Sequence, residues 1–142
     1  MMACMRLAWT LAALGCLVVP ALANAGALGT WALDSGKVTV RISPCGGNLC
    51  GTIVALRKPL DKHGKPKLDR KNPNPALRSR PVIGLTILTA MKPDGQDNWA
   101  GKIYNADDGN TYSSYMKLNG DAMKVKGCVA FICKKMTFVR IK

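Results

Sequence analysis

Glutamate is absent from this 142-residue chain, and histidine occurs once, as His63. All eight acidic residues are therefore aspartates. These absences exclude multi-histidine zinc sites, calcium loops closed by a bidentate glutamate, and acid/base pairs that use glutamate. His63 lies in a lysine-rich segment, and no nucleophile motif such as Gly-x-Ser-x-Gly accompanies it. The sequence thus predicts no catalytic site, no metal site and no cofactor.

Long hydrophobic runs are also scarce, and the longest extends from Leu7 to Val19 near the start of the chain. Arg6 precedes this run, and small residues follow it in Ala-x-Ala triplets that end at Ala23 and Ala25. A basic start, a short apolar middle and an Ala-x-Ala site are typical of a secretory signal peptide. We therefore interpret residues 1–25 as a signal peptide that is cleaved after one of these two alanines.

Two alternatives to a cleaved signal peptide remain open at this point. The apolar run could anchor the chain in a membrane, although it is shorter than a bilayer span requires. Cys16 could instead carry a lipid, although the residues before it fit a lipoprotein site poorly. With a cleaved signal peptide, residues 26–142 form a single mature domain that is periplasmic or secreted.

Four cysteines lie beyond the signal peptide, as two pairs with the same spacing: Cys45 with Cys50, and Cys128 with Cys133. An oxidising destination and an even number of cysteines favour two disulfides. Zinc held by four thiolates is the alternative, but the ligands of structural zinc sites are usually closer together in sequence.

Short runs of alternating apolar and polar residues fill the rest of the chain, and turn sequences separate them. We count eight such runs, at about residues 29–34, 37–44, 49–57, 82–90, 98–105, 111–118, 121–128 and 134–141. The pattern is typical of an all-β protein. Consecutive hairpin-linked strands predict a single eight-stranded antiparallel up-and-down β-barrel, with an open sandwich as the alternative.

Successive turns of such a barrel alternate between its two rims, and this alternation restricts the disulfides. The two cysteine pairs lie at opposite rims, so disulfide geometry excludes a bond between them. We therefore expect Cys45 to bond to Cys50 and Cys128 to bond to Cys133.

A long segment at residues 57–80 contains nine Lys or Arg, two Asp and four Pro. We expect it to form a structured basic loop over one rim.

Two sets of motifs resemble known protein families. Gly29-Thr30-Trp31, together with Arg140, resembles the GxW motif and terminal arginine of lipocalins and related calycins. In those proteins the arginine packs across the indole at the closed end of the barrel, a favourable cation–π arrangement. The resemblance implies that Trp31 and Arg140 have this structural role.

The second set of motifs covers nearly the whole mature chain. It comprises Cys45-Gly46, Leu49-Cys50-Gly51, Pro59-Leu60-Asp61, Gly64-Lys65-Pro66, Asp69, Asn72-Pro73, Arg78-Ser79-Arg80-Pro81, Gly84, Trp99-Ala100-Gly101-Lys102-Ile103-Tyr104, Asp108-Gly109, Tyr112 and Gly127-Cys128. These motifs resemble the bacterial exported family known as domain of unknown function 2147. The resemblance implies a lipocalin-like fold and no established activity.

Binding of a small hydrophobic molecule, or of one with an anionic headgroup, is the function that this fold favours, with the open mouth of the barrel as the site. The candidate lining residues are Tyr104, Tyr112, Met116 and Phe138, with Arg78 and Arg80 at the mouth. An arginine there could hold a carboxylate or a phosphate through two hydrogen bonds. The alternative is a solid barrel, in which these apolar side chains fill the core.

The net charge of +13 supports a second hypothesis, adhesion to an anionic envelope component such as lipopolysaccharide or anionic lipid. Residues 57–80 carry a net charge of +7, and residues 124–142 carry six Lys or Arg and no acid. Aromatic residues are missing from the basic loop, so specific nucleic-acid recognition by base stacking is not expected there.

Overall fold

The computed structural model describes residues 24–141, which form a closed antiparallel barrel. Its strands are β1 (Gly29–Leu33), β2 (Val38–Cys45), β3 (Asn48–Leu56), β4 (Thr86–Pro93), β5 (Asn98–Asn105), β6 (Asn110–Asn119), β7 (Ala122–Val129) and β8 (Ile132–Arg140). Each strand pairs with the next, and β8 pairs with β1. The up-and-down barrel predicted from the sequence is confirmed. Most of the predicted signal peptide, residues 1–23, lies outside the described residues.

Side-chain alternation along the strands decides which residues fill the barrel. Inward-facing residues lie opposite one another in the pairs Trp31 with Val40, Leu88 with Ile103, Trp99 with Met116, and Met123 with Phe138. All eight are buried. On β7, Lys124 and Lys126 alternate with the inward-facing residues, point outward and are exposed. One apolar core therefore occupies the barrel, and charged residues lie on its outer surface.

The segment before β1 closes one end of the barrel, which we call the floor. Residues 25–27 form a 3-10 turn there, and the indole Nε1 of Trp31 donates a hydrogen bond to the carbonyl oxygen of Ala27 at 2.9 Å. The guanidinium of Arg140 lies 4.2 Å from the centre of the Trp31 ring. Arg140 also donates to the carbonyl oxygens of Gly26 and Leu28. These contacts join the first strand, the last strand and the N-terminal segment.

The opposite end, which we call the loop rim, carries the long connection from β3 to β4. The sequence predicted β4 at residues 82–90, and this boundary is wrong, because the strand spans Thr86–Pro93. Residues 82–85 close the loop instead. The backbone N–H of Val82 donates to the carbonyl oxygen of Lys67, and the N–H of Leu85 donates to that of Val82. The basic loop therefore spans residues 57–85.

Backbone pairing orders this loop although it contains no regular strand. Leu60 pairs with Pro66, and Leu68 pairs with Pro81, as two isolated antiparallel bridges. A second 3-10 turn, Pro75–Leu77, lies between Leu68 and Pro81. The loop is therefore a structured excursion, as its turn residues indicated.

Both disulfides have the expected pairing and join neighbouring strands at hairpin ends. Cys45 is bonded to Cys50 near the β2–β3 turn at the floor. Cys128 is bonded to Cys133 beside the β7–β8 turn at the loop rim. Each bond restrains one hairpin, and packing of the core stabilises the rest of the barrel.

Candidate ligand-binding site

The interior of the barrel is almost completely filled. It contains a void of about 10 Å³. The void is lined by Trp31, Val40, Ile42, Leu88, Met123, Val125 and Phe138. A cavity needs about 10–15 Å³ to hold one water molecule. The structure therefore has the solid barrel that the sequence allowed as the alternative. Its interior has no space for a small-molecule ligand.

Two of the predicted binding residues contact Asp69, a carboxylate in the basic loop with 0% exposure. The Tyr104 hydroxyl donates a hydrogen bond to Asp69 at 2.6 Å, and Arg80 Nε donates to it at 3.1 Å. The side-chain amide of Asn72 supplies a third hydrogen bond at 2.8 Å. This cluster fastens the basic loop to β5.

The electrostatics of the Asp69 cluster follow from burial and these three donors. Burial raises the pKa of Asp69, but the hydrogen bonds from Tyr104, Asn72 and Arg80 and the arginine charge outweigh it, so the pKa lies below its ordinary value of 3.8. Burial, followed by the neighbouring carboxylate, raises the pKa of Tyr104 to about 12. At neutral pH the carboxylate is therefore ionised and the phenol keeps its proton.

The other two polar candidates also have partners within the protein. Arg78 Nε donates a hydrogen bond to the carbonyl oxygen of Asn72 at 2.7 Å, inside the basic loop. The Tyr112 hydroxyl donates a short hydrogen bond to the Asp108 carboxylate. That bond lowers the pKa of Asp108 and raises the pKa of Tyr112. Both side chains therefore hold neighbouring loop segments in place.

Met116 and Phe138, the two remaining candidates, are 1% and 5% exposed. Phe138 lines the interior void on β8. Met116 lies opposite Trp99 near the floor. The structure therefore distributes the six predicted residues between core and loop contacts, and does not bring them together around an open mouth.

A groove of about 590 Å³ runs along β6, β7 and β8. Its lining residues are Asp94, Asn98, Trp99, Tyr115, Met116, Lys117, Lys124, Lys126, Lys135, Met136 and Thr137. The volume falls within the range of about 300–1,000 Å³ that is typical of small-molecule sites. Of the six predicted binding residues, Met116 lines it. We call this feature the lysine groove.

The strand register places the four lysines of the groove in two facing pairs. Lys117 lies opposite Lys124, and Lys126 lies opposite Lys135. Like charges directly opposite each other on neighbouring strands repel and destabilise the sheet. Asp94 is the one carboxylate among the lining residues, and the ion pairs found within residues 24–141 do not involve these lysines. The groove thus concentrates positive charge that an anion would offset.

Sequence reasoning missed this groove, although part of its signal is visible in the chain. Lys124 and Lys126 alternate with buried Met123 and Val125, which identifies an outward-facing cationic row on β7. The facing position of Lys117 depends on the register between β6 and β7. That register becomes available only from the three-dimensional pairing of the strands.

The described residues contain few other features that could carry chemistry. Within residues 24–141, His, Cys and Asp side chains form no group of three or more that could hold a metal ion. His63 is exposed on the basic loop. In the same part of the chain, no helix has the length and apolar character needed to cross a membrane.

A closed eight-stranded barrel, with a tryptophan and an arginine stacked at its floor, is the arrangement of a lipocalin-like protein. A solved structure supports this class: protein HP1028 from the human pathogen Helicobacter pylori, described as belonging to the lipocalin family. It is 23% identical to this chain, covering 81% of this chain and 82% of its own, with a TM-score of 0.69. This likeness establishes the fold.

The profile of a family described as "Uncharacterized protein conserved in bacteria (DUF2147)" matches residues 29–140. The chain belongs to this family, and the resemblance based on its motifs is confirmed. No curated protein matches the chain significantly.

Proposed function

We propose that this protein is an exported lipocalin-like binding protein for a small molecule with an anionic headgroup, and that the ligand binds in the lysine groove rather than inside the barrel. The observation that carries the proposal is the facing arrangement of Lys117 with Lys124 and of Lys126 with Lys135. A phosphate or carboxylate between these ammonium groups would replace repulsion by charge-assisted hydrogen bonds. The filled interior supports the outer location.

The groove also offers apolar surface beside its charges. Tyr115 is 45% exposed, and Met136 is partly buried at the core boundary. The ammonium of Lys126 lies 5.9 Å from the centre of the Tyr115 ring, near the outer limit of a cation–π contact. A ligand that joins an anionic headgroup to an alkyl or aromatic portion would use both kinds of surface.

Export is part of the proposal because the two disulfides require an oxidising compartment to persist. The apolar run and the Ala-x-Ala triplets near the start of the chain are consistent with that destination. The periplasm and the exterior of the cell both provide such conditions.

Calorimetric titration with dodecyl phosphate, used below its micelle concentration, tests the groove directly. We expect the double substitution Lys124→Gln and Lys126→Gln to weaken binding about tenfold or more, because replacing a charge-assisted hydrogen bond by a neutral one costs about 1 kcal/mol at each position. The matched control is Lys58→Gln with Lys62→Gln, which removes the same charge from the exposed basic loop.

Equal weakening by the control pair would contradict a localised site. It would favour the alternative, diffuse attraction to an anionic envelope polymer or lipid surface. Unaltered binding in both double variants would also contradict the proposal, because neither lysine row would then contact the headgroup.

A further inference from the structure

The turn of the β7–β8 hairpin presents apolar side chains to water at the loop rim. Phe131 is fully exposed, at 101% of its reference area, Ile132 is 81% exposed and Val129 is 58% exposed. Single exposed apolar residues are ordinary on protein surfaces, but large apolar patches mark interaction sites. Here three large apolar residues occur within four consecutive positions. We call residues 129–132 the apolar tip.

The apolar tip is held in its outward position by the local structure. Val129 pairs with Ile132, and the Cys128–Cys133 disulfide joins the two strands immediately behind them. Ala130 has a φ of +51°, in the left-handed region that a tight turn requires. The paired and covalently joined hairpin holds Phe131 at its turn, away from the core. Its exposure is therefore a property of the folded hairpin.

The surroundings of the apolar tip combine further apolar groups with positive charge. Lys134 and Lys135 follow the tip on β8. The basic loop at the same rim carries a net charge of +7 and exposes Leu60 and Ile83, at 51% and 42%. The neighbouring turns contribute carboxylates from Asp34, Asp107 and Asp108, fewer than the cations of the loop. The rim as a whole is both apolar and cationic.

We propose that the loop rim docks on a lipid bilayer that carries anionic headgroups, with Phe131 and Ile132 inserted at the interface. An apolar anchor at a cationic rim matches such a surface, because the aromatic and aliphatic groups enter the acyl boundary while the cations meet the phosphates. Charge complementarity selects an anionic bilayer over a neutral one. The apolar tip contains none of the residues that line the lysine groove, although Lys135, three residues after the tip, belongs to that groove.

Flotation with lipid vesicles tests the proposal. We expect the protein to bind vesicles of phosphatidylcholine mixed with phosphatidylglycerol, and to bind phosphatidylcholine vesicles weakly. Phe131→Ser with Ile132→Ser should lower the partition coefficient about tenfold or more, because two large apolar side chains no longer leave water. The control is Val139→Ser. Val139 is 46% exposed and lies on the same strand as Ile132, near the floor.

Fluorescence gives a second readout that does not depend on removing the anchor. In the Phe131→Trp variant the new indole is exposed, whereas Trp31 and Trp99 are buried. Mixed vesicles should shift its emission to shorter wavelength, and brominated lipid should quench it. These changes should be absent when the new tryptophan is placed at Val139.

Three results would overturn docking by the rim: no binding of the unaltered protein to mixed vesicles, equal loss of binding in the Val139→Ser control, or no emission change at position 131. Binding of dodecyl phosphate should be the same in the Phe131→Ser variant as in the unaltered protein. The two proposals can therefore fail separately.

Discussion

Asp69 is a charged side chain that is fully removed from water, and its partners explain why the basic loop is ordered. Tyr104, Asn72 and Arg80 donate to its two carboxylate oxygens. Burial of a carboxylate is costly unless hydrogen bonds and an opposite charge compensate for it. The three donors therefore compensate for the desolvation cost of Asp69 and fix the geometry of the loop.

The Asp69→Asn variant should lower the free energy of unfolding by about 2–3 kcal/mol at pH 7, because the charge-assisted hydrogen bonds from Tyr104 and Arg80 are lost or weakened. Urea unfolding followed by circular dichroism measures the difference. Asp107→Asn is the matched control on an exposed turn, and it should change stability by about 0.5 kcal/mol or less. An equal effect of the two variants would contradict a stabilising role for the cluster.

The pH dependence of this difference provides an internal check. Because the pKa of Asp69 is lowered in the folded state, its stabilisation is present above the unfolded pKa of about 3.9 and is lost as pH falls through the folded pKa. The stability gap between the unaltered protein and Asp69→Asn should therefore be constant from about pH 5 to 8 and shrink at lower pH. A gap that persists in acid would point to packing instead of charge.

The sequence did not reveal this cluster. The sequence predicts Tyr104 and Arg80 as ligand-binding residues, because an aromatic strand residue and a loop arginine suit a barrel mouth. Their actual partner, Asp69, lies 11 residues before Arg80 and 35 before Tyr104. Such a contact depends on the path of an irregular loop, which no residue periodicity encodes.

At the level of strands, alternation predicted most of the architecture correctly. The exception is β4, where the apolar residues Val82, Ile83 and Leu85 look like the start of a strand. Val82 instead donates a backbone hydrogen bond to Lys67 within the basic loop, and Ile83 is 42% exposed. An apolar segment can close a loop or extend a ladder, and only tertiary hydrogen bonds distinguish the two outcomes.

The N-terminal segment before β1 makes a buried hydrogen bond that bears on where the signal peptide is cleaved. The indole N–H of Trp99 donates to the side-chain oxygen of Asn24 at 2.8 Å in a buried position. The Asn24 amide donates to the carbonyl oxygen of Gly47 at 3.3 Å. Removal of Asn24 would leave the buried N–H of Trp99 without this acceptor.

We therefore predict that export cleaves the chain after Ala23, so that the mature protein begins at Asn24. N-terminal sequencing or the intact mass of the exported protein determines the start. A mature chain beginning at Gly26 would contradict this prediction. Asn24→Ala should lower the free energy of unfolding by about 1–2 kcal/mol, since a buried donor loses its partner.

Across the whole molecule, the positive charge is concentrated in two regions with different surroundings. The basic loop brings its cations to the loop rim together with exposed apolar residues. The register of β6, β7 and β8 brings four lysines into one groove on the side of the barrel. The sequence located the charge surplus along the chain. The separation into a rim and a groove required the closed barrel.

Whether the interior is hollow could not be predicted from the sequence, because it depends on how side-chain volumes fit together across eight strands. Tyrosine, methionine and phenylalanine on strands are equally compatible with a pocket lining and a core. In the structure Trp31, Met123 and Phe138 are among the residues that line a void of about 10 Å³. We therefore propose that a ligand binds outside the barrel, and not at the mouth that the sequence predicted.

Titration of the isotope-labelled protein with dodecyl phosphate, followed by amide and methyl NMR, distinguishes binding in the lysine groove from binding inside the barrel. We predict chemical-shift changes at the backbone amides of Lys117, Lys124 and Lys126, which line the groove. The methyl groups of Leu88 and Val125, which line the interior void, should keep their positions. Shifts of these two methyl signals without changes at the amides of Lys117, Lys124 and Lys126 would contradict binding in the groove, because the ligand would then enter the barrel.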